Sequence, residues 1–121
     1  MKKSNIQKGV IGEKAAVELL KKKGFKIIET NYRTRFGEID IIGRDGEVIV
    51  FVEVKTKTGD QFGEPWEMMN KRKLGQIKRI GKMYLVKKEM GDAVCRIDVV
   101  GVWLDYQGEV QKTEHWDNVT S

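Results

Sequence analysis

The sequence predicts one α/β domain whose elements run helix, three strands, helix, two strands (α-β-β-β-α-β-β). Three observations predict it. Apolar residues recur at helical spacing from Ser4 to Lys23. Two alternating strands flank "DG" at Asp45-Gly46. A second helical pattern, Glu64 to Met90, precedes the strand-like "AVCRIDVVGVWLD". With 121 residues, a single proline, and no repeat or biased linker, residues 1–121 read as one domain with one core.

In the first helix Ser4 is the expected N-cap and Gly24 the stop. At the helical period Ile6, Val10, Val17 and Leu20 fall within about 40° of a common direction, which makes them the expected core stripe. Glu13 falls in the middle of that stripe, so a carboxylate points where the core should be. "FKIIETNY" is a short strand and "TRFG" the turn after it. If Asp45-Gly46 forms the two-residue hairpin turn, Arg44 pairs with Glu47, Asp40 stands opposite Phe51, and Glu38 stands opposite Glu53. Alternation then puts Glu38, Asp40, Glu53 and Lys55 on one face, shared with Ile49 and Phe51, and Val48, Val50, Val52 and Val54 on the other. The second helix, Glu64 to Met90, is expected to have Pro65 at its first helical position, to keep Leu74, Ile77, Ile80 and Tyr84 on one side, and to end at Gly91. A last hairpin joins "AVCRIDVVGVWLD" to "GEVQKTEHW" around Tyr106 to Gly108.

Lys and Arg number 23 against 18 Asp and Glu, for a formal charge of +5, an excess that admits a polyanionic partner without requiring one. The lone Cys95 cannot form an internal disulfide and lies in an apolar run, so it is expected in the core of a cytoplasmic protein. The first twenty residues are broken by Gln7, Lys8, Glu13 and Lys14 and do not read as a signal peptide. No apolar run is long enough to span a bilayer, so no membrane association is expected.

The chemistry concentrates in the central hairpin. Opposed like charges destabilise a sheet, so clustered Glu38, Asp40 and Glu53 need a cation beyond Lys55. A hard divalent ion, Mg²⁺ or Mn²⁺, held by Asp40 and Glu53 would supply it, and such ions also bind phosphate oxygens. The alternative is a solvated face with loose ion pairs, which Ile49 and Phe51 on the same face oppose. Glu13 either joins that site or pairs with an arginine such as Arg33 or Arg35. Between Glu67 and Glu89 the chain carries Lys71, Arg72, Lys73, Lys78, Arg79, Lys82, Lys87 and Lys88 and no acidic residue. Of these Lys71, Arg72, Lys78, Arg79 and Lys82 lie opposite the apolar stripe, a one-signed face suited to tracking phosphates or simply to solvation. His115 is the only histidine and has no Cys/His ligand set or nucleophile motif beside it. Trp66, Trp103 and Trp116 read as core or rim residues, and no Walker-type loop is present.

Asp40 on one strand followed by Glu53-Val54-Lys55 on the next, after a helix bearing Glu13, resembles the PD-(D/E)XK nuclease superfamily, with Ile39 where the superfamily's name has proline. The "GE" of "IGEKAA", with "GEIDII" and "VFVEVKTK" in that order, resembles the YraN-like family of small bacterial proteins, itself similar to archaeal Holliday-junction resolvases. The resemblance spans Gly9 to about Val102. It implies a restriction-endonuclease-like fold, a mixed central sheet flanked by helices, in preference to an antiparallel sandwich. It also implies Asp40, Glu53 and the Val54 carbonyl as Mg²⁺ ligands, Lys55 as the group that orients or activates water, and Glu13 as an accessory metal or water contact. Since junction resolvases cut two strands as dimers, a homodimer is implied by the resemblance alone; no residue pattern marks its surface. The expected function is metal-dependent hydrolysis of DNA, branched DNA included. The alternatives are a nuclease-fold module that binds nucleic acid without cutting, and an assembly module whose basic helix meets an acidic partner.

Overall fold

The computed structural model describes residues 3–59 and 69–120. Ser4 and Gln7 form a capping box, each side chain bonded to the other's backbone N–H, and this starts α1 (Asn5–Lys22). The helix stops where Gly24 adopts a left-handed φ of +93°. Next come β1 (Lys26–Thr34), β2 (Gly37–Asp45) and β3 (Val48–Thr58), then α2 (Lys71–Lys87), β4 (Cys95–Leu104) and β5 (Val110–Trp116). The sheet order is β1-β2-β3-β4-β5. Among the described strands only β3 and β4 run parallel; the other neighbours are antiparallel, and α2 lies in the crossover between the parallel pair. The architecture is thus α/β with a mixed sheet, in the expected element order and compatible with the restriction-endonuclease-like fold.

Each face of the sheet has its own core. Against α1, Ala16 and Leu20 pack on Ile41, Val50, Val52, Val100 and Val102. Against α2, Ile77, Ile80, Tyr84 and Leu85 pack on Ile42, Ile49, Phe51, Ile97 and Trp103. Two glycines set these distances: a methyl added at Gly12 would land on Thr56 Oγ1, and one added at Gly81 would meet the Phe51 ring.

Several expectations shift in detail. Ile6 and Val10 are 81% and 64% exposed, while the buried line on α1 is Gly12, Ala16 and Leu20. The helix meets the sheet closely only from Gly12 onward, and its first turns wall a cleft instead of covering a core. The hairpin turn is Gly46-Glu47, with Asp45 paired to Val48, two residues from the expected register. Gly46 supplies the left-handed φ (+62°) that the first turn position needs, and Asp45 is held in the strand by Arg96 Nη2 at 3.0 Å. The expected helix start at Glu64-Pro65, like Trp66, lies outside the described residues. The described helix begins at Lys71, with the Asn70 side chain accepting from the Lys73 N–H. It ends before Gly91, because Glu89 already turns left-handed (φ +57°) and Met90 N–H bonds back to Leu85. Cys95 is exposed, since it opens β4 at the rim of a cavity beside α2.

Candidate functional site

The β2–β3 ladder ends at Ile41↔Val52. Beyond it the Val54 N–H donates to Asp40 Oδ2 at 2.8 Å, so a carboxylate has taken the place of the next backbone acceptor. The N–H and C=O of a strand residue point to the same edge, and the Val54 carbonyl therefore faces the same opened edge as Asp40. The two-residue change of register pairs Phe51 with Ile42, and Asp40, past the end of the ladder, neighbours Glu53 instead.

Electrostatically the pair is costly. Burial pushes the Asp40 carboxyl up to about 8, helped by the neighbouring Glu53 carboxyl and only partly opposed by the Val54 N–H and Lys73. Glu53 is 5% exposed. Lys73 Nζ stands 3.4 Å from Glu53 Oε2, an ion-pair distance, yet that buried oxygen completes no hydrogen bond among the described residues. Glu13 reaches the same region from α1. Burial raises its carboxyl above the usual range; a 2.7 Å hydrogen bond from Asn31 Nδ2 opposes this, and the negative charges of Asp40 and Glu38 add to it. Asn31 holds a left-handed φ of +53°, a conformation asparagine tolerates better than most residues.

Glu13, Asn31 and Asp40, though not Glu53 or Lys73, border a cleft of about 880 Å³ between α1 and the sheet, lined also by Arg33, Glu38 and Thr56. The expected single charged face is divided. Glu38 and Asp40 line this cleft, and Arg33 pairs with Glu38 at 3.0 Å instead of with Glu13. Glu53 instead pairs toward α2 through Lys73. Asp40 meets both groups because it sits where the ladder stops. Lys55 is half-buried on β3, level with Gly101 of β4, does not line the cleft, and has no ion-pair partner among the described residues. Lys71, Arg72, Lys78, Arg79 and Lys82 are all exposed on α2, with the Arg79 guanidinium 3.9 Å from the centre of the Phe36 ring. Lys78, Arg79 and Lys82 border a second cavity of about 460 Å³ floored by Phe51 and Ile97.

The chain from residue 12 to residue 102 matches the model of the uncharacterised protein family UPF0102, an interval that contains Glu13, Asp40, Glu53, Lys55 and Lys73. The chain belongs to that family. It is similar to the UPF0102 protein of Moorella thermoacetica, at 44% identity over 89% of this chain and 90% of the relative. It is also similar to that of Alkaliphilus oremlandii, at 48% over 79% and 84%, and to that of Dictyoglomus turgidum, at 39% over 95% and 98%. These matches agree with the YraN-like resemblance.

In this UPF0102 chain three groups escaped the sequence reading. Asn31 was legible only as a residue prone to left-handed backbone. Lys73 was one of eight cations on a helix, and only the packing of α2 brings it to Glu53. The third is a buried network away from the cleft. Asp98, fully buried, accepts from Arg96 Nε (3.0 Å), His115 Nε2 (2.8 Å) and Asn118 N–H (2.9 Å). Burial alone would raise the Asp98 carboxyl, but these three donors outweigh it and hold it below the usual range. Lys23 Nζ stands 2.9 Å from His115 Nδ1. An ammonium can only donate, so Nδ1 accepts and Nε2 carries the proton given to Asp98. His115 thus ties α1, β4 and β5 together, a structural place consistent with the lack of any ligand set around it in the sequence.

Proposed function

We propose that the protein is a divalent-metal-dependent nuclease that hydrolyses DNA phosphodiester bonds. The observation that carries this reading is the half-buried Asp40 carboxyl set beside the buried Glu53 carboxyl: burial first and Glu53 second push Asp40 up, and one Glu53 oxygen has no hydrogen bond among the described residues. A cation resolves both faults. Among the described residues no three Asp, Glu, His or Cys side chains form a ready-made cage. That suits Mg²⁺ or Mn²⁺, because Mg²⁺ usually takes one or two carboxylates and retains several waters. Asp40, Glu53 and the Val54 carbonyl are the groups that would hold the ion. When bound, it supplies Lewis-acid polarisation of a phosphoryl oxygen and a more acidic water.

The chain's own residues supply the rest. Lys55, which follows Glu53 on the same side of β3, is proposed to orient water or to stabilise charge developing on the phosphate. Glu13, steadied by Asn31, is proposed to hold a water in the cleft. Lys71, Arg72, Lys78, Arg79 and Lys82 give α2 a one-signed surface for the phosphate backbone. Branched DNA as substrate, a homodimeric enzyme and a cytoplasmic location belong to the same proposal. No helix among the described residues is long and apolar enough to cross a membrane.

A second reading, a nuclease-fold module that binds DNA without cutting it, is favoured by one observation: Lys55 does not line the cleft that Glu13 and Asp40 share. The test is incubation of the pure protein with labelled linear, single-stranded, flapped and four-way DNA in Mg²⁺, Mn²⁺ or EDTA. Metal-dependent products on any substrate support the nuclease. Salt-sensitive binding with no product on all four supports the module.

A further inference from the structure

Lys73 occupies a position that helix α2 alone does not explain. With Lys71 and Arg72 it puts three cations into the first helical turn, which holds no acidic residue. The N-terminus of a helix is its positive end, so cations there are unfavourable to the helix. Lys71 and Arg72 are exposed, whereas the Lys73 side chain is two-thirds buried and directed at Glu53 Oε2, 3.4 Å away. Its ammonium is a charge that partly offsets the carboxylates. A divalent ion taken up by Asp40 and Glu53 would therefore meet a resident cation on one of its ligands.

Resting on the proposed metal site, we infer that Lys73 is an internal counter-ion that a divalent metal displaces from Glu53, and that its freed ammonium then contacts a phosphate of the bound strand. Two further features fit. The ion pair completes no hydrogen bond to Glu53 Oε2, so opening it breaks a charge attraction, which the metal's greater charge replaces, and no hydrogen bond to that oxygen. A lysine ammonium sits on a flexible stem with rotatable donors, and it can exchange a carboxylate for a phosphate by side-chain rotation alone. Lys73 would then act beside the reacting phosphate from α2, complementing Lys55 from β3. Metal loading and phosphate capture would be coupled through one side chain.

The experiment is calorimetric titration of Mn²⁺ into wild type, Lys73→Met and Lys73→Arg, with folding checked by circular dichroism. It is followed by titration of a short duplex in Ca²⁺, in place of Mg²⁺, at several salt concentrations. Removal of a charge at ion-pair distance from a metal ligand should tighten Mn²⁺ binding by about tenfold in Lys73→Met. Lys73→Arg, which keeps the charge, should stay within about twofold of wild type. In Ca²⁺ the methionine variant should lose about one phosphate contact, so that its salt slope falls by about 0.9. Mn²⁺ binding that is unchanged or weaker in a folded Lys73→Met, against a clear wild-type isotherm, overturns this inference and leaves the metal site standing. An absent wild-type isotherm overturns the metal site, and this inference falls with it. Tighter metal binding with an unchanged salt slope removes the phosphate contact and refutes the coupling.

Discussion

Asp40→Asn isolates the cost that the fold carries at its candidate site. Asparagine keeps an oxygen to accept from the Val54 N–H and offers Glu53 an amide donor, which imitates the protonated carboxyl. The folded-state carboxyl of Asp40 lies at about 8 against an ordinary 3.8, because of burial and then Glu53. A raised carboxyl means that the folded state holds a proton the unfolded chain has released. This group's stabilising contribution is therefore full below the unfolded value and declines as pH rises toward 8. The difference is close to one proton at pH 6 and falls to about half a proton at pH 8, so Asp40 alone should tilt stability downward by about 1.4 kcal/mol per pH unit near pH 6 and about half that near pH 8. Relaxation of the site and entry of water reduce that figure, and a slope difference of about 0.7 kcal/mol per unit is a reasonable target. The assay is urea unfolding at pH 6, 7 and 8 in EDTA, wild type against Asp40→Asn. The variant should be the more stable at pH 8, by about 2 kcal/mol, or roughly 8 °C in melting temperature for a domain of this size. Added Mg²⁺ or Mn²⁺ should stabilise the wild type and leave the variant nearly unmoved. Parallel pH profiles, or a variant less stable at pH 8, would show that Asp40 is not a strained buried carboxylate.

Other outcomes follow from the same geometry. Lys55→Ala should keep its fold, its affinity for divalent ions and nearly all its DNA binding, while cleavage falls about 100-fold or more; rates matched to wild type would move the catalytic lysine elsewhere. Charge reversal at Lys78, Arg79 and Lys82 together should flatten the salt dependence of duplex binding by nearly three units of slope, equally for all sequences, and an unchanged slope would place the DNA on another surface. Asp98→Ala should cost about 3 kcal/mol in chemical unfolding, because Arg96 is left largely buried without its main partner; a loss below about 1 kcal/mol would mean that the network is dispensable.

The parts of the fold legible in the sequence were those written in local pattern. The Ser4 cap, the alternation of β3 and the Ile77-Ile80-Tyr84 stripe each depend on neighbours within a few residues, and each appears where the pattern placed it. The hairpin register was less secure, because "RDGE" offers two adjacent dipeptides for the turn, and Asp45 is drawn into the strand by Arg96, more than fifty residues away in sequence. The stripe on α1 misled for a related reason. Periodicity shows which residues share a side of a helix but not how far along the helix the sheet extends, so Ile6 and Val10 were assigned to a core that ends near Gly12. At the site, the clustering of Asp40 with Glu53 was visible from alternation, and Glu13 from its place on an apolar stripe. The division of the carboxylates between two faces, with Asp40 joining them, was not visible. It depends on the ladder stopping after Ile41↔Val52, which no local signal announces.

Whether Asp40 and Glu53 form a hydrolytic metal site, as proposed, can be decided by one comparison. Wild type and Glu53→Gln, purified side by side and both shown to be folded, are incubated with the best of the four labelled DNA substrates in Mn²⁺ and in EDTA. Strand cleavage by wild type is expected in Mn²⁺ and not in EDTA, with a rate at least about 100-fold lower in Glu53→Gln at equal DNA binding. Equal cleavage by the two proteins, or cleavage by wild type that persists in EDTA, would contradict the proposed site.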